Sequence, residues 1–210
     1  MEDLKKKLLN YDIIIFDLDD TIYSQKDYDN PALHHVSKFL EKKIEEDRNI
    51  IFKKLRKLKK IRRGLAPKPI FNILLKNYNL IKKQRIISSC ISLFQKYECK
   101  ELKKSKSLKK FLRSIHKKKK LFIVTNGPKV RQENKIKYLK IKGYFKKIFI
   151  LDGVKKEIKP SIMHVKYLVK YLKVNKNLKS VFVGDNKDSD YKFAKNLKIK
   201  FIFYQFPLAE

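Results

Sequence analysis

Ile13-Ile14-Ile15-Phe16-Asp17-Leu18-Asp19-Asp20-Thr21, IIIFDLDDT, is the stretch on which the reading of this chain turns. An apolar run rich in isoleucine ends abruptly in three carboxylates. Short apolar runs that stop at polar residues read as buried strands, and this one is expected to span Asp12–Asp17. Crowding Asp17, Asp19 and Asp20 is costly unless a cation neutralises them or one stays protonated. Alternation along an extended chain sends the Asp17 and Asp19 side chains the same way, so the strand delivers two carboxylates to one place.

Working outward, four more strand-like runs follow: Leu121–Thr125, Lys147–Leu151, Ser180–Gly184 and Ile199–Tyr204. Helical patterns separate them. Lys129–Ile141 carries apolar residues at Val130, Ile136, Leu139 and Ile141. Pro160–Leu172 opens on a proline suited to a first turn and continues with Ile162, Val165, Leu168, Val169 and Leu172 on one face. Such alternation implies a parallel sheet covered on both faces. The first strand is followed differently, by helical stretches over Leu33–Asp47, Ile50–Ile61, Pro69–Tyr78 and Ile81–Tyr97, punctuated by Gly64, Pro67 and Pro69. A helix over Ser107–His116 returns the chain to the sheet. The fold class expected is α/β: a Rossmann-like parallel sheet formed by residues 1–23 and 108–210, with residues 24–107 inserted as a helical subdomain.

Ligands bind outside the carboxyl ends of the strands in such sheets. Asp17 and Asp19 lie at one such end, and Thr125, followed by Asn126 and Gly127, lies at another. Gly184 ends a third, with Asp185, Asp188 and Asp190 just beyond. Lys159 precedes Pro160, and the extended preference of a residue before proline places it in a loop rather than a helix. Each of these groups suits phosphate or metal chemistry.

The chain has 210 residues, enough for one core with an insertion, and lacks an apolar run of the roughly 18 residues that a membrane span needs. MEDLKKKLLN has no signal-peptide core, and the two cysteines, Cys90 and Cys99, fit no metal spacing; a reducing cytoplasm and packing roles are the expectation. Lys+Arg is 54 against 21 Asp+Glu, a net charge of +33. The lysines run along the whole chain, as in a composition bias, so nucleic acid is not the expected partner, although anionic substrates would be attracted. His34, His35, His116 and His164 have no companion ligand motif and read as surface or packing residues.

DLDDT, TNG, a KP ahead of a helix, and VGDNKDSD follow one another in this order. Together they resemble the haloacid dehalogenase superfamily of phosphohydrolases over the whole chain. The resemblance implies Asp17 as the nucleophile that forms an aspartyl-phosphate. It implies Asp19 as the acid and base, Thr125 and Asn126 on the phosphoryl group, and Lys159 offsetting the charge. Asp17, the Asp19 carbonyl and Asp185 would hold Mg²⁺, with Asp190 supporting; Asp188 is its rival, as Lys155 and Lys156 are rivals of Lys159. Asp20 would face away from the metal. The inserted helices resemble the superfamily's type-one cap, which implies a small phosphorylated metabolite as substrate; Arg62 and Arg63 there could reach a substrate anion. DLDDTIYS and TNG, with Gln132, Lys135, Tyr144 and Phe145, resemble both the pyrimidine 5′-nucleotidase and the acylneuraminate 9-phosphatase branches. Phe193 stands where relatives often have a small residue, and Leu197-Lys198 where they have Ala-Gly. The alternatives are a nucleic-acid-directed phosphatase or binder, and a non-catalytic interaction protein with the same fold. Oligomeric state leaves no mark in the sequence.

Overall fold

In the computed structural model the described residues are 2–61, 70–102, 105–153 and 157–207. Arg62, Arg63, Gly64, Pro67, Pro69, Lys155 and Lys156 lie outside them. The chain forms two compact units, Met1–Gln25 with Lys100–Glu210, and Lys26–Cys99.

The first unit is built on β1 (Ile13–Phe16), β2 (Lys120–Asn126), β3 (Lys147–Leu151), β4 (Ser180–Gly184) and β5 (Lys200–Phe203). They form one parallel sheet in the order β3-β2-β1-β4-β5. All four residues of β1 are buried, as its unbroken apolar sequence requires of the middle strand. Phe16 lies opposite Ile123 of β2 and Val183 of β4, which sets Asp17, Thr125 and Gly184 along one carboxyl edge. The Asp17 N–H donates to Val183 O at 2.9 Å and holds the first carboxylate in the strand line.

On one face, Ile13, Ile15, Phe122 and Phe182 pack under Val165, Leu168, Phe193 and Ala194. On the other, Phe16 meets Phe111 and Phe145 edge-on, each at 6.3 Å between ring centroids. Helix α1 (Glu2–Lys7) buries Leu4. Residues 24–25, 100–102 and 105–107 fall within this unit rather than with the insertion. Gln25 N–H binds the Asp20 carboxylate at 3.0 Å, Leu102 is buried, and Ser105 caps the helix Lys106–His116.

The second unit contains α2 (Lys26–Ile44), α3 (Arg48–Ile61), α4 (Ile70–Leu74) and α5 (Lys83–Lys96). Helix α2 starts ahead of the expected Leu33 and runs through Pro31. The Asp27 carbonyl, which Pro31 cannot serve, accepts from the buried Cys99 thiol at 3.6 Å. Asp47 caps α3 by accepting from the N–H groups of Asn49 and Ile50. Helix α4 is shorter than the expected Pro69–Tyr78. Burial pushes the Cys90 thiol up to about 12, in keeping with a packing role, and His34 and His35 pack against Phe52 and Tyr97.

Two helices of the sheet unit differ from expectation. Lys159–Pro160 is a cis peptide, and a turn closed by Ser161 N–H to Ile158 O occupies the residues expected to begin a helix. One 3₁₀ turn, Met163–Val165, then leads into α8 (Lys166–Val174). After α6 (Lys106–His116), helix α7 (Lys129–Leu139) buries Gln132, Lys135, Ile136 and Leu139, whereas Val130 is 47% exposed. Its first N–H is met by Asp152 from the end of β3, at 2.7 Å.

Phe193, on α9 (Lys192–Asn196), is fully buried edge-on to Phe182 at 5.4 Å, so the bulk at this position fills core space. Beyond α9, Lys198 N–H bonds Lys195 O and Ile199 N–H bonds Ala194 O, with Lys198 at φ 56. This is a Schellman turn whose left-handed position favours glycine. Lys198→Gly is therefore expected to stabilise the protein by about 1 kcal/mol in denaturant melts; an unchanged or lower midpoint would contradict this account of the turn.

No helix among the described residues is long and apolar enough to cross a membrane.

Candidate active site

The residues singled out in the sequence gather at the carboxyl edge of the sheet. Asp17 leaves β1 buried, and Lys159 reaches it from the loop after β3. Lys159 Nζ is 2.5 Å from Asp17 Oδ1 and 2.7 Å from Asp190 Oδ1, and the lysine is 4% exposed. Asn126 Oδ1 accepts from Lys159 N–H at 2.9 Å, so this side chain holds the lysine's backbone in place.

Asp190 sits on a π-helical turn, Lys187–Tyr191, that Asn186 opens by accepting from the N–H groups of Asp188 and Ser189. That turn sends Asp190 inward, where Asn186 N–H and Ser189 Oγ also donate to its carboxylate. Asp188 points outward, with a side chain 91% exposed and paired to Lys192. Gly184 makes room for Asp190: a Cβ there would lie 2.3 Å from Asp190 Oδ2. Asp17, Asp185 and Asp190 each offer a carboxylate oxygen, all within 4.8 Å of one another. An all-oxygen, strongly anionic donor set of this kind fits a hard divalent cation such as Mg²⁺.

Asp19 faces different partners. Lys135 Nζ lies 2.7 Å from Asp19 Oδ1 and 2.8 Å from Oδ2, and Tyr23 OH donates to Oδ1 at 2.5 Å. Gln132 Nε2 lies 3.1 Å from Asp19 Oδ2, 2.6 Å from Thr125 Oγ1 and 3.1 Å from Asn126 O. With its oxygen accepting from Gln132, the Thr125 hydroxyl keeps its proton to donate elsewhere. Asp20, at φ 54, turns away to accept from Gln25 N–H, while its carbonyl accepts from Phe206 N–H at 2.6 Å. Gly127, at φ 136, takes a backbone conformation that side chains avoid and donates to Leu151 O.

The two leading carboxylates are electrostatically opposite. Burial pushes the Asp17 carboxyl well above the usual range, Asp190 and Asp19 add to this, and Lys159 opposes it. Burial alone would also raise Asp19, but Lys135, Arg131 and Tyr23 outweigh it and hold its carboxyl well below that range. Burial works against the Lys159 ammonium, yet Asp17 and Asp190 hold its pKa above the ordinary lysine value.

Gln132 and Lys135 belong to this site but carry no role in the sequence reading. The signal was helical: residues 132 and 135 share the face of Ile136 and Leu139, so two polar side chains fall on a buried stripe.

The sequence profile of the haloacid dehalogenase-like hydrolases matches residues 14–204. The chain belongs to this family. No curated protein matches it. Among solved structures, the fold is similar to YfnB from Bacillus subtilis, described as a HAD hydrolase and solved bound to magnesium (17% identity, TM-score 0.65, 92% of this chain and 88% of that one). It is similar to a HAD phosphatase from Thermococcus onnurineus (23%, 0.60, 92% and 86%). It is also similar to a 2-haloacid dehalogenase from Pseudomonas syringae (17%, 0.57, 92% and 86%). At these identities the likeness is one of fold.

Lys159→Met strands two buried carboxylates and is expected to cost about 3–5 kcal/mol at neutral pH. Protonation discharges the stranded groups, so the deficit in Tm relative to wild type should narrow on acidification. Because Asp17 is raised, the narrowing should begin above the ordinary Asp value of about 4. Thermal melts across pH check this; a deficit that does not vary with pH would contradict it.

Proposed function

We propose that this protein is a Mg²⁺-dependent phosphomonoesterase that hydrolyses a small phosphorylated metabolite, a nucleotide or sugar phosphate, through an aspartyl-phosphate. The observation that carries the reading is the pairing at one strand end of two carboxylates in opposite environments, Asp17 against Lys159 and Asp19 against Lys135. Asp17, Asp185 and the Asp19 carbonyl would hold Mg²⁺, which when bound supplies positive charge against the carboxylates and the phosphoryl oxygens. The magnesium-bound YfnB and the phosphatase among the similar structures are consistent with this.

In the first half-reaction an Asp17 oxygen attacks phosphorus, the bond from phosphorus to the leaving oxygen breaks, and Asp19 gives that oxygen its proton. A dianionic phosphoryl group arriving beside Asp19 raises its proton affinity, which favours loading it for this step. In the second half, Asp19 takes a proton from water as the water oxygen attacks phosphorus, releasing phosphate and Asp17. Thr125 donates to a phosphoryl oxygen, and Lys159 keeps positive charge beside Asp17 throughout. Asp19 also separates this reading from dehalogenation, which needs the nucleophile but no acid for a leaving oxygen. The net charge of +33 draws in anions without selecting among them.

The test is phosphate release from a panel of nucleoside monophosphates and sugar phosphates, with and without Mg²⁺, beside Asp17→Asn. Release that needs the metal and disappears in the variant is expected. Release that persists in Asp17→Asn would exclude Asp17 as nucleophile, and folded wild type inert towards the whole panel would overturn the substrate class.

A further inference from the structure

A lysine with 0% exposure requires a partner, and Lys135 spends two of its ammonium contacts on the two oxygens of a single carboxylate. Tyr23 holds Asp19 from the β1 loop, and Gln132 ties the same carboxylate to Thr125. The Gln132 amide has only two protons for three oxygens within 3.1 Å, so it serves them as a shared bridge. Three donors from two separate elements thus fix the orientation of Asp19, far more than a stray surface carboxylate receives.

Resting on the phosphatase reading above, we propose that Lys135, with Gln132 and Tyr23, is a positioning residue that commits Asp19 to the water-activating half of the reaction. Lys135 touches neither the phosphoryl group nor the water; it acts through Asp19. Held at both oxygens, the carboxylate keeps one orientation while the leaving group departs and a water takes its place. The proton then passes from that water to Asp19, the water oxygen bonds to phosphorus, and the Asp17–phosphorus bond breaks. Without Lys135 the carboxylate samples other rotamers, and the aspartyl-phosphate outlives the departure of the leaving group.

p-Nitrophenyl phosphate separates the two halves, because p-nitrophenolate leaves without needing a proton. With Mg²⁺ present, Lys135→Met is expected to lower kcat by about ten- to a hundredfold. kcat/KM, which reports the first half, should stay within about twofold. A burst of p-nitrophenolate stoichiometric with enzyme should appear, because the phosphoenzyme now accumulates. Tyr23→Phe removes one donor without removing volume and should show the same kcat-only loss, to a smaller degree; it carries the test if Lys135→Met fails to fold. Asp19→Asn is the control on the underlying reading. If it turns over like wild type, or if wild type releases no p-nitrophenolate, that reading fails and this one with it. If Asp19→Asn is impaired while the folded clamp variants lose kcat and kcat/KM together, or lose neither, the clamp alone is overturned.

Discussion

The contact on which the site depends is the buried ion cluster of Lys159 with Asp17 and Asp190. Removing three charges from water is costly, and their mutual attraction offsets that only where geometry and further hydrogen bonds are supplied. Much of the sheet edge supplies them. Asp17 N–H is fixed to β4, Asn126 pins the Lys159 backbone, Asn186 shapes the turn that turns Asp190 inward, and Gly184 leaves the space Asp190 fills. One cation against two carboxylates still leaves negative charge in excess, and Asp185 adds to it within 4.8 Å. That excess is what makes the site suited to a further cation rather than to a closed structural ion pair.

The second cluster divides the labour. Two carboxylates two residues apart in sequence would share one environment if both looked to the same lysine. Instead Lys159 comes from the loop after β3 and Lys135 from α7, and each serves one of them. Environments that push neighbouring carboxyls apart are how one site can contain both a nucleophile and an acid–base group. The backbone makes this possible: Asp17 is still in the strand line, while the left-handed turn at Asp20, just after Asp19, folds the chain so that Tyr23 comes back to the Asp19 carboxylate.

The sheet was legible because its signals are local. Five apolar runs with helical patterns between four of them specify parallel strands, and the ranges differ from those observed by two residues at most. The motif carboxylates, Thr125 and Lys159 were legible because strand ends of a parallel sheet converge on one edge. What could not be read depended on tertiary compensation. Pro31 looks like a helix breaker until Cys99 is seen to serve the carbonyl it leaves. Pro160 looks like a helix start until the turn from Ile158 to Ser161 takes its place. Gln132 and Lys135 share the helix face of Ile136 and Leu139, yet polar residues on a helix usually face water, and nothing local names a group for them to serve. Only the carboxylate waiting at the end of β1 reverses that expectation.

Fifty-four basic residues invite the view that any lysine could serve this site, and the structure argues otherwise. Charges in water separated by more than the Debye length of about 8–10 Å are largely screened from one another. The dispersed surface lysines therefore raise the potential that an incoming anion meets, but they cannot balance a carboxylate buried at the sheet edge. Among the described residues that task falls to the two lysines that have given up their own hydration, and giving it up is stable only where a carboxylate is already in place to receive them. Lys159 and Lys135 are thus set apart from the rest by burial and by partner rather than by residue type. The abundance of lysine in the sequence conceals them for the same physical reason that it cannot replace them.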